Sequence, residues 1–340
     1  MTLDLAWTGS QFLDPRDHAE RVMAAVGPVD LTNKDETWCE SVASAVGEHF
    51  GLSASIVRVA AGATQLIEVL LRSLYRGLVV DVVPNFHLAA TISRQEGWDY
   101  RTVPVREPAE LLPSLTPYLK RRDTVFSLSS PRNPLGYQFD LADIATFLDR
   151  ARGVVIIDEV YADFASTSAL QLLADHPNLF VVRTFSKAWG LANLRVGFGA
   201  STAFAGLPAG GAKLRLIPNS VSGVAQRAVR HLLAHPESVR YSIVAARQCR
   251  DHMFAALSRL AGVRVWPSEA NYLCLETPGA DELADTLAAA GYRVRLLHDL
   301  RGYPRNFPAG VRISVPPQPH LDAVVAAVRI WHSSAAAPDE

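Results

Sequence analysis

Lys187 is the residue whose chemistry stands out, within Thr184-Phe185-Ser186-Lys187-Ala188-Trp189-Gly190-Leu191. It follows an apolar run of strand length, Leu179–Ser186. The carboxyl ends of strands are where α/β folds bind ligands. A lysine desolvated there loses basicity and can form an imine with an aldehyde. Ser186, and Arg195 in Arg195-Val196-Gly197, flank it and suit a phosphate. Taken alone, the Ser-Lys pair reads more simply as a surface lysine after a strand.

Three further strand ends carry polar groups. Ile156-Ile157-Asp158-Glu159-Val160-Tyr161 places Asp158 where a carboxylate leaves an apolar strand. A buried carboxylate needs a cation, and a pyridinium N–H would supply one; a helix-capping role remains open. Ser130-Pro131-Arg132-Asn133-Pro134-Leu135-Gly136 fixes a tight turn that aims the Asn133 amide inward, or forms a plain surface turn. Ala61-Gly62-Ala63-Thr64-Gln65 opens a helix with small residues that let an anion approach its N-terminus, or simply caps it.

The elements that position these residues follow from the hydrophobic pattern. Apolar runs Ile56–Ala60, Leu78–Pro84, Tyr100–Val105, Thr124–Ser130, Val154–Val160, Leu179–Ser186 and Arg195–Ser201 alternate with helical stretches such as Thr64–Leu74 and Leu141–Ala151. Nearly unbroken apolar strands with crossover helices predict an α/β fold whose mostly parallel sheet is covered on both faces. The last two runs lie too close for a crossover helix, so the final strand is expected to be antiparallel. Beyond about residue 240 the pattern becomes α+β. A long helix over Pro236–Leu260 precedes short strands at Val263–Trp266, Tyr272–Glu276, Arg293–Leu297 and Val311–Val315. Helices are expected around Asp281–Ala290 and His320–Trp331. An amphipathic helix, Pro15–Ala25, is expected to pack on this second unit. The division is a large domain over 36–240 and a small domain made of 1–35 with 241–340.

These motifs in this order resemble the fold type I enzymes dependent on pyridoxal 5'-phosphate (PLP). The nearest likeness is to the class I/II aminotransferases, in particular the histidinol-phosphate aminotransferase-like group. The resemblance spans roughly residues 45 to 330 and rests on N-P-x-G, D-E-x-Y and S-K-x-x-G-L-x-x-x-R-x-G. It implies a seven-stranded sheet and PLP as a Schiff base on Lys187. Asp158 would pair with the pyridine nitrogen, while Tyr161 and Asn133 would bond the phenolic oxygen. Gly62, Ala63, Thr64, Ser186 and Arg195 would hold the phosphate, and Phe86 in Pro84-Asn85-Phe86 would stack on the ring. Arg312, in Val311-Arg312-Ile313-Ser314-Val315, would bind the substrate carboxylate. Arg295, with Asn133, is a further substrate-contact candidate; His87 and His298 are weaker ones, each reading more simply as a solvated loop histidine.

The implied reaction moves an amino group from an amino acid to a 2-oxo acid. The same residues would serve a decarboxylase, cyclase or oxidase of an amino acid. A PLP-binding regulator domain would need a helix-turn-helix module, and no basic recognition helix precedes the motif region. Where the family usually reaches the partner subunit's phosphate with a tyrosine, ungapped counting finds Lys34. That departure, with the lack of an Asn-Glu-Asn-Pro-like start, speaks against histidinol phosphate as substrate. Pro218–Gln226 resembles the segment that packs at a subunit boundary, so a homodimer with shared active sites is expected.

Composition narrows the classes further. The chain has 340 residues, 49% hydrophobic and 20% charged, with a formal net charge of -1. That balance gives no field for nucleic acid or an anionic membrane. Its three cysteines, Cys39, Cys249 and Cys274, are odd in number and not spaced as metal ligands. No metal is expected, and reduced thiols point to a cytoplasmic protein.

Overall fold

A computed structural model describes residues 2–30, 32–33, 35–206 and 214–335. The chain runs β1 (Leu3–Asp4), α1 (Pro15–Val26), α2 (Glu40–Phe50), β2 (Val57–Ala60), α3 (Gly62–Leu74), β3 (Leu78–Val83), α4 (Leu88–Glu96), β4 (Tyr100–Pro104), α5 (Leu111–Leu115), β5 (Thr124–Ser129) and α6 (Leu141–Arg150). It continues β6 (Val154–Asp158), β7 (Leu179–Thr184), β8 (Gly197–Ala200), α7 (Gly223–Ala234), α8 (Glu237–Leu257), β9 (Arg264–Val265), β10 (Tyr272–Glu276), α9 (Ala280–Ala289), β11 (Tyr292–Arg293), β12 (Arg295–Leu296), β13 (Gly310–Ser314) and α10 (His320–Ala335).

Seven strands form one sheet in the order β2-β8-β7-β6-β5-β3-β4. β3 is parallel to β4 and β5, and β5, β6 and β7 continue in parallel. β8 runs antiparallel to both β7 and β2, as its short connection predicts. Successive side chains of a strand alternate between faces, and both faces here are apolar. Val80, Val82, Phe126, Leu128, Val155 and Ile157 enter one core, against Ile144, Phe147 and Leu148 of α6. Val79, Val125, Ile156, Phe180 and Val182 enter the other, against Leu66, Ile67 and Leu70 of α3. Each fully buried aliphatic or aromatic side chain contributes about 1.5–3 kcal/mol. That is why these strands show largely apolar runs.

A four-stranded antiparallel sheet, β12-β13-β10-β9, forms the second unit. Leu273, Leu275, Val311 and Ile313 pack there against Leu283 and Leu287 of α9 and Val324 and Val328 of α10. The strand expected over Arg293–Leu297 is split at Val294. β11 pairs in parallel with β1, whereas β12 pairs with β13. The N-terminal helix also departs from expectation. Val22 and Val26 of α1 join the core of the large sheet, where α1 packs on α7. The first strand stays with the second unit through β11. The two sheets meet around the Pro131–Gly136 turn. There Tyr272 Oη donates to the Arg132 carbonyl at 2.8 Å and the Glu269 N–H to the Gly136 carbonyl at 2.8 Å.

Candidate active site

The carboxyl ends of β2, β3, β5, β6 and β7 face one edge of the large sheet, and the start of antiparallel β8 joins them. That edge opens on a cavity of about 440 Å³, within the range of small-molecule sites. Lys187, Asp158, Tyr161, Asn133, Ala63, Thr64, Phe86, Ser186, Arg195, Arg295 and Arg312 all line it. His87 lines it as well. His298 does not: it is exposed, and its Nε2 lies 3.7 Å from Asp299 Oδ1. Lys34 lies outside the described residues.

Lys187 follows β7 in a turn closed by the Phe185 N–H on the Val196 carbonyl and the Leu191 N–H on the Phe185 carbonyl, both 3.0 Å. Burial pulls its amine below the usual lysine range. Arg312 adds to that pull, while Tyr161 and Asp158 oppose it. Asp158 closes β6, and burial pushes its carboxyl up to about 7. The Val160 N–H, donating at 3.1 Å, and the Lys187 charge reduce that rise only in part. A buried acid with so little compensation suits a cationic N–H partner.

α3 begins at Gly62, where Ala61 offers no side-chain cap and the Gln65 Oε1 accepts from the Ala61 N–H at 2.8 Å. Such a terminus favours an anion. Gly62 sits at φ +83°, and a Cβ there would stand 2.9 Å from Arg195 Nη2. Arg195, itself at φ +51°, donates to Ser186 Oγ at 3.2 Å and to the Ala192 carbonyl at 3.1 Å. Glycine at 62 therefore admits the guanidinium over the helix start. A Cβ on Gly197 would come within 2.7 Å of the Ala63 nitrogen, so that glycine seats the helix on the sheet. Helix terminus, hydroxyls and guanidinium make a cradle suited to a phosphate such as that of PLP, and Asp158 lines the same cavity.

Arg312 enters from the second unit on β13 and is buried. It donates to Asn133 Oδ1 at 2.8 Å and to the Ala6 carbonyl at 2.7 Å, while its Nε has no hydrogen-bond partner among the described residues. Arg295 is its register partner on β12.

Several lining residues carried no local signal in the sequence. Ala6, Trp7 and Thr8 reach the cavity from the N-terminal segment, and Arg301 and Tyr303 reach it from the loop before β13. Thr8 Oγ1 accepts from Lys187 Nζ at 2.8 Å and bonds Tyr161 Oη at 2.9 Å. Only pairing between residues far apart in the chain brings it there. Asn85 also lines the cavity. It donates to buried Asp81 at 2.7 Å and to Ser127 at 3.2 Å; a polar residue between Pro84 and Phe86 was the available hint.

The Aminotransferase class I and II family model matches residues 39–328. An aromatic amino acid aminotransferase of Cutibacterium acnes is 32% identical over 270 residues, 75% of this chain and 74% of that protein. A histidinol-phosphate aminotransferase of Thermococcus kodakarensis is 31% identical over 264 residues, 77% of this chain and 76% of that protein. Among solved structures, the L-threonine-O-3-phosphate decarboxylase of Porphyromonas gingivalis superposes with a TM-score of 0.80 at 18% identity, over 97% of this chain and 99% of that chain. At that identity the likeness is one of fold. The match across most of the sequence, joined to relatives above 30% identity over three quarters of both chains, places this chain in the class I and II aminotransferase family of PLP-dependent enzymes.

Proposed function

We propose that this chain moves the amino group of an amino acid onto a 2-oxo acid, with PLP in the cavity at the sheet edge and Lys187 as the amine that meets its aldehyde. The observation that carries the reading is the convergence on one cavity of Asp158 from β6, Arg312 from β13 and Lys187 from the turn after β7. Bound PLP supplies an electron sink for a bond broken at the α-carbon of an amino acid. The protein supplies the rest. The first N–H groups of α3, with Thr64, Ser186 and Arg195, would hold the phosphate over Gly62 and Ala63. Asp158 would face the ring nitrogen and keep it protonated. Phe86 would flank the ring, and Asn133 and Tyr161 would bond its phenolic oxygen. Arg312 presents a planar guanidinium for the substrate carboxylate, and Arg295 lies beside it for the substrate's side chain. Lys187, with basicity reduced by burial, is suited to take a proton from the α-carbon near neutral pH and to return it.

Family resemblance further supports a homodimer in the cytoplasm; light scattering giving twice the 37.0 kDa chain mass tests the first part. Among the described residues no helix is long and apolar enough to cross a membrane. The function is tested with Lys187→Ala, which is expected to lose the visible absorbance of the lysine-bound cofactor and essentially all turnover. A panel of amino acids and 2-oxo acids then identifies donor and acceptor. Release of carbon dioxide with no amino transfer to any acceptor would replace transamination with decarboxylation.

A further inference from the structure

We propose that Thr8 is a positioning residue: its hydroxyl holds the free Lys187 amine and the Tyr161 phenol in one hydrogen-bonded chain, and the N-terminal segment delivers it to the site. The inference rests on the proposed role of Lys187 as the working amine and concerns what aims it.

A threonine hydroxyl has one proton and two lone pairs. At Thr8 that capacity is used on functional groups, with Lys187 Nζ donating at 2.8 Å and Tyr161 Oη paired at 2.9 Å. The residue is 3% exposed. Its place in the fold is secured by other atoms. Asn271 Nδ2 donates to the Thr8 carbonyl at 3.2 Å and to the Gly9 carbonyl at 3.0 Å. Ser314 Oγ holds the Trp7 carbonyl at 2.9 Å, and Arg312 holds the Ala6 carbonyl at 2.7 Å. Backbone bonds therefore anchor the segment, and the side chain is left for the amine. Trp7 adds to the arrangement, its ring centroid 4.4 Å from Lys187 Nζ, where the ring face favours a cation.

A lysine side chain has a long flexible stem. Without an acceptor its amine would sample several positions in the cavity. Tied to Thr8, it is fixed between Tyr161 and Trp7, in the free-amine form in which lysine carries protons. The charged or titratable groups facing it are Asp158 and Tyr161 at the end of β6 and Arg312 on β13, with Tyr272 of β10 behind Tyr161. Arg195 and His87 line the same cavity.

The test uses full-length protein with Thr8→Val, Thr8→Ser and Thr8→Ala. Reaction of Lys187 with cyanate in cofactor-free protein, read by peptide mass spectrometry against pH, reports when the amine is unprotonated. Loss of the hydroxyl removes an acceptor that favours the charged amine, so Thr8→Val and Thr8→Ala should move the reaction midpoint down by about one pH unit. Thr8→Ser should restore the wild-type value. In the loaded enzyme the same two variants should lower kcat about tenfold with little change in KM for the amino donor. Unchanged midpoint and kcat in both hydroxyl-free variants would overturn the proposal, as would a rise in KM alone, which a mere cavity wall would give. Full activity of Lys187→Ala would instead remove the functional reading beneath it.

Discussion

Asp158→Asn separates the electrostatic core of the site from its shape. The substitution keeps the side chain's size and removes its ionisation. In the folded chain burial pushes the Asp158 carboxyl from its ordinary 3.8 up to about 7. An acid whose folded pKa is raised binds its proton more tightly when folded than unfolded. Between about pH 4 and pH 7 the folded state therefore holds more protons, and stability falls as pH rises through that window. A rise of about three units corresponds to about 4 kcal/mol at 1.36 kcal/mol per unit. Roughly half of this accumulates between about pH 5.5 and 8.5. Cofactor-free wild type should therefore lose about 2 kcal/mol against Asp158→Asn over that interval, measured as urea unfolding of both proteins at both pH values. The loaded enzyme should respond in the opposite sense. Removing one partner of a buried ion pair costs about 3–5 kcal/mol. Expressed in full as a barrier, that is a turnover about a hundredfold to several-thousandfold slower. Parallel pH dependence in the two cofactor-free proteins would refute the reasoning, because Asp158 would then not be a destabilised buried acid awaiting a cation.

Two further substitutions probe the remaining walls. Arg312→Lys keeps the charge but loses the planar fork, and should raise KM for the amino donor about tenfold to a hundredfold in steady-state assays. Gly62→Ala places a Cβ at φ +83° against Arg195 Nη2, at 2.9 Å, and should weaken PLP binding, read by equilibrium titration of cofactor-free protein, with a stability loss of about 1–3 kcal/mol.

Much of the large sheet was legible in the sequence because its information is local. Strands buried on both faces are largely apolar, so β3, β5, β6 and β7 stood out despite the single Asp81 of β3 and the serines of β5. The polar residues Lys187, Asp158, Asn133 and Thr64 stand out because each lies just where such a run ends. The antiparallel sense of β8 followed from the length of one connection. The small strands were less clear. β11 and β12 looked continuous because their partners differ: β11 takes β1, nearly three hundred positions away, whereas β12 takes nearby β13.

The sequence by itself thus determined the sheet, the strand-end chemistry and the family. Tertiary structure alone decided what those groups meet. Thr8 reaches Lys187 across 179 positions, and Arg312 reaches Asn133 across the same separation. His298, next in type to His87, is left in solvent while His87 joins the cavity. α1 turns to the large core although the strand before it belongs to the second unit. The physical reason is that secondary structure and strand-end motifs are set by neighbours in the chain. Burial, by contrast, depends on which distant surfaces exclude water together. The raised carboxyl at 158 and the weakened base at 187 exist only once that exclusion is complete.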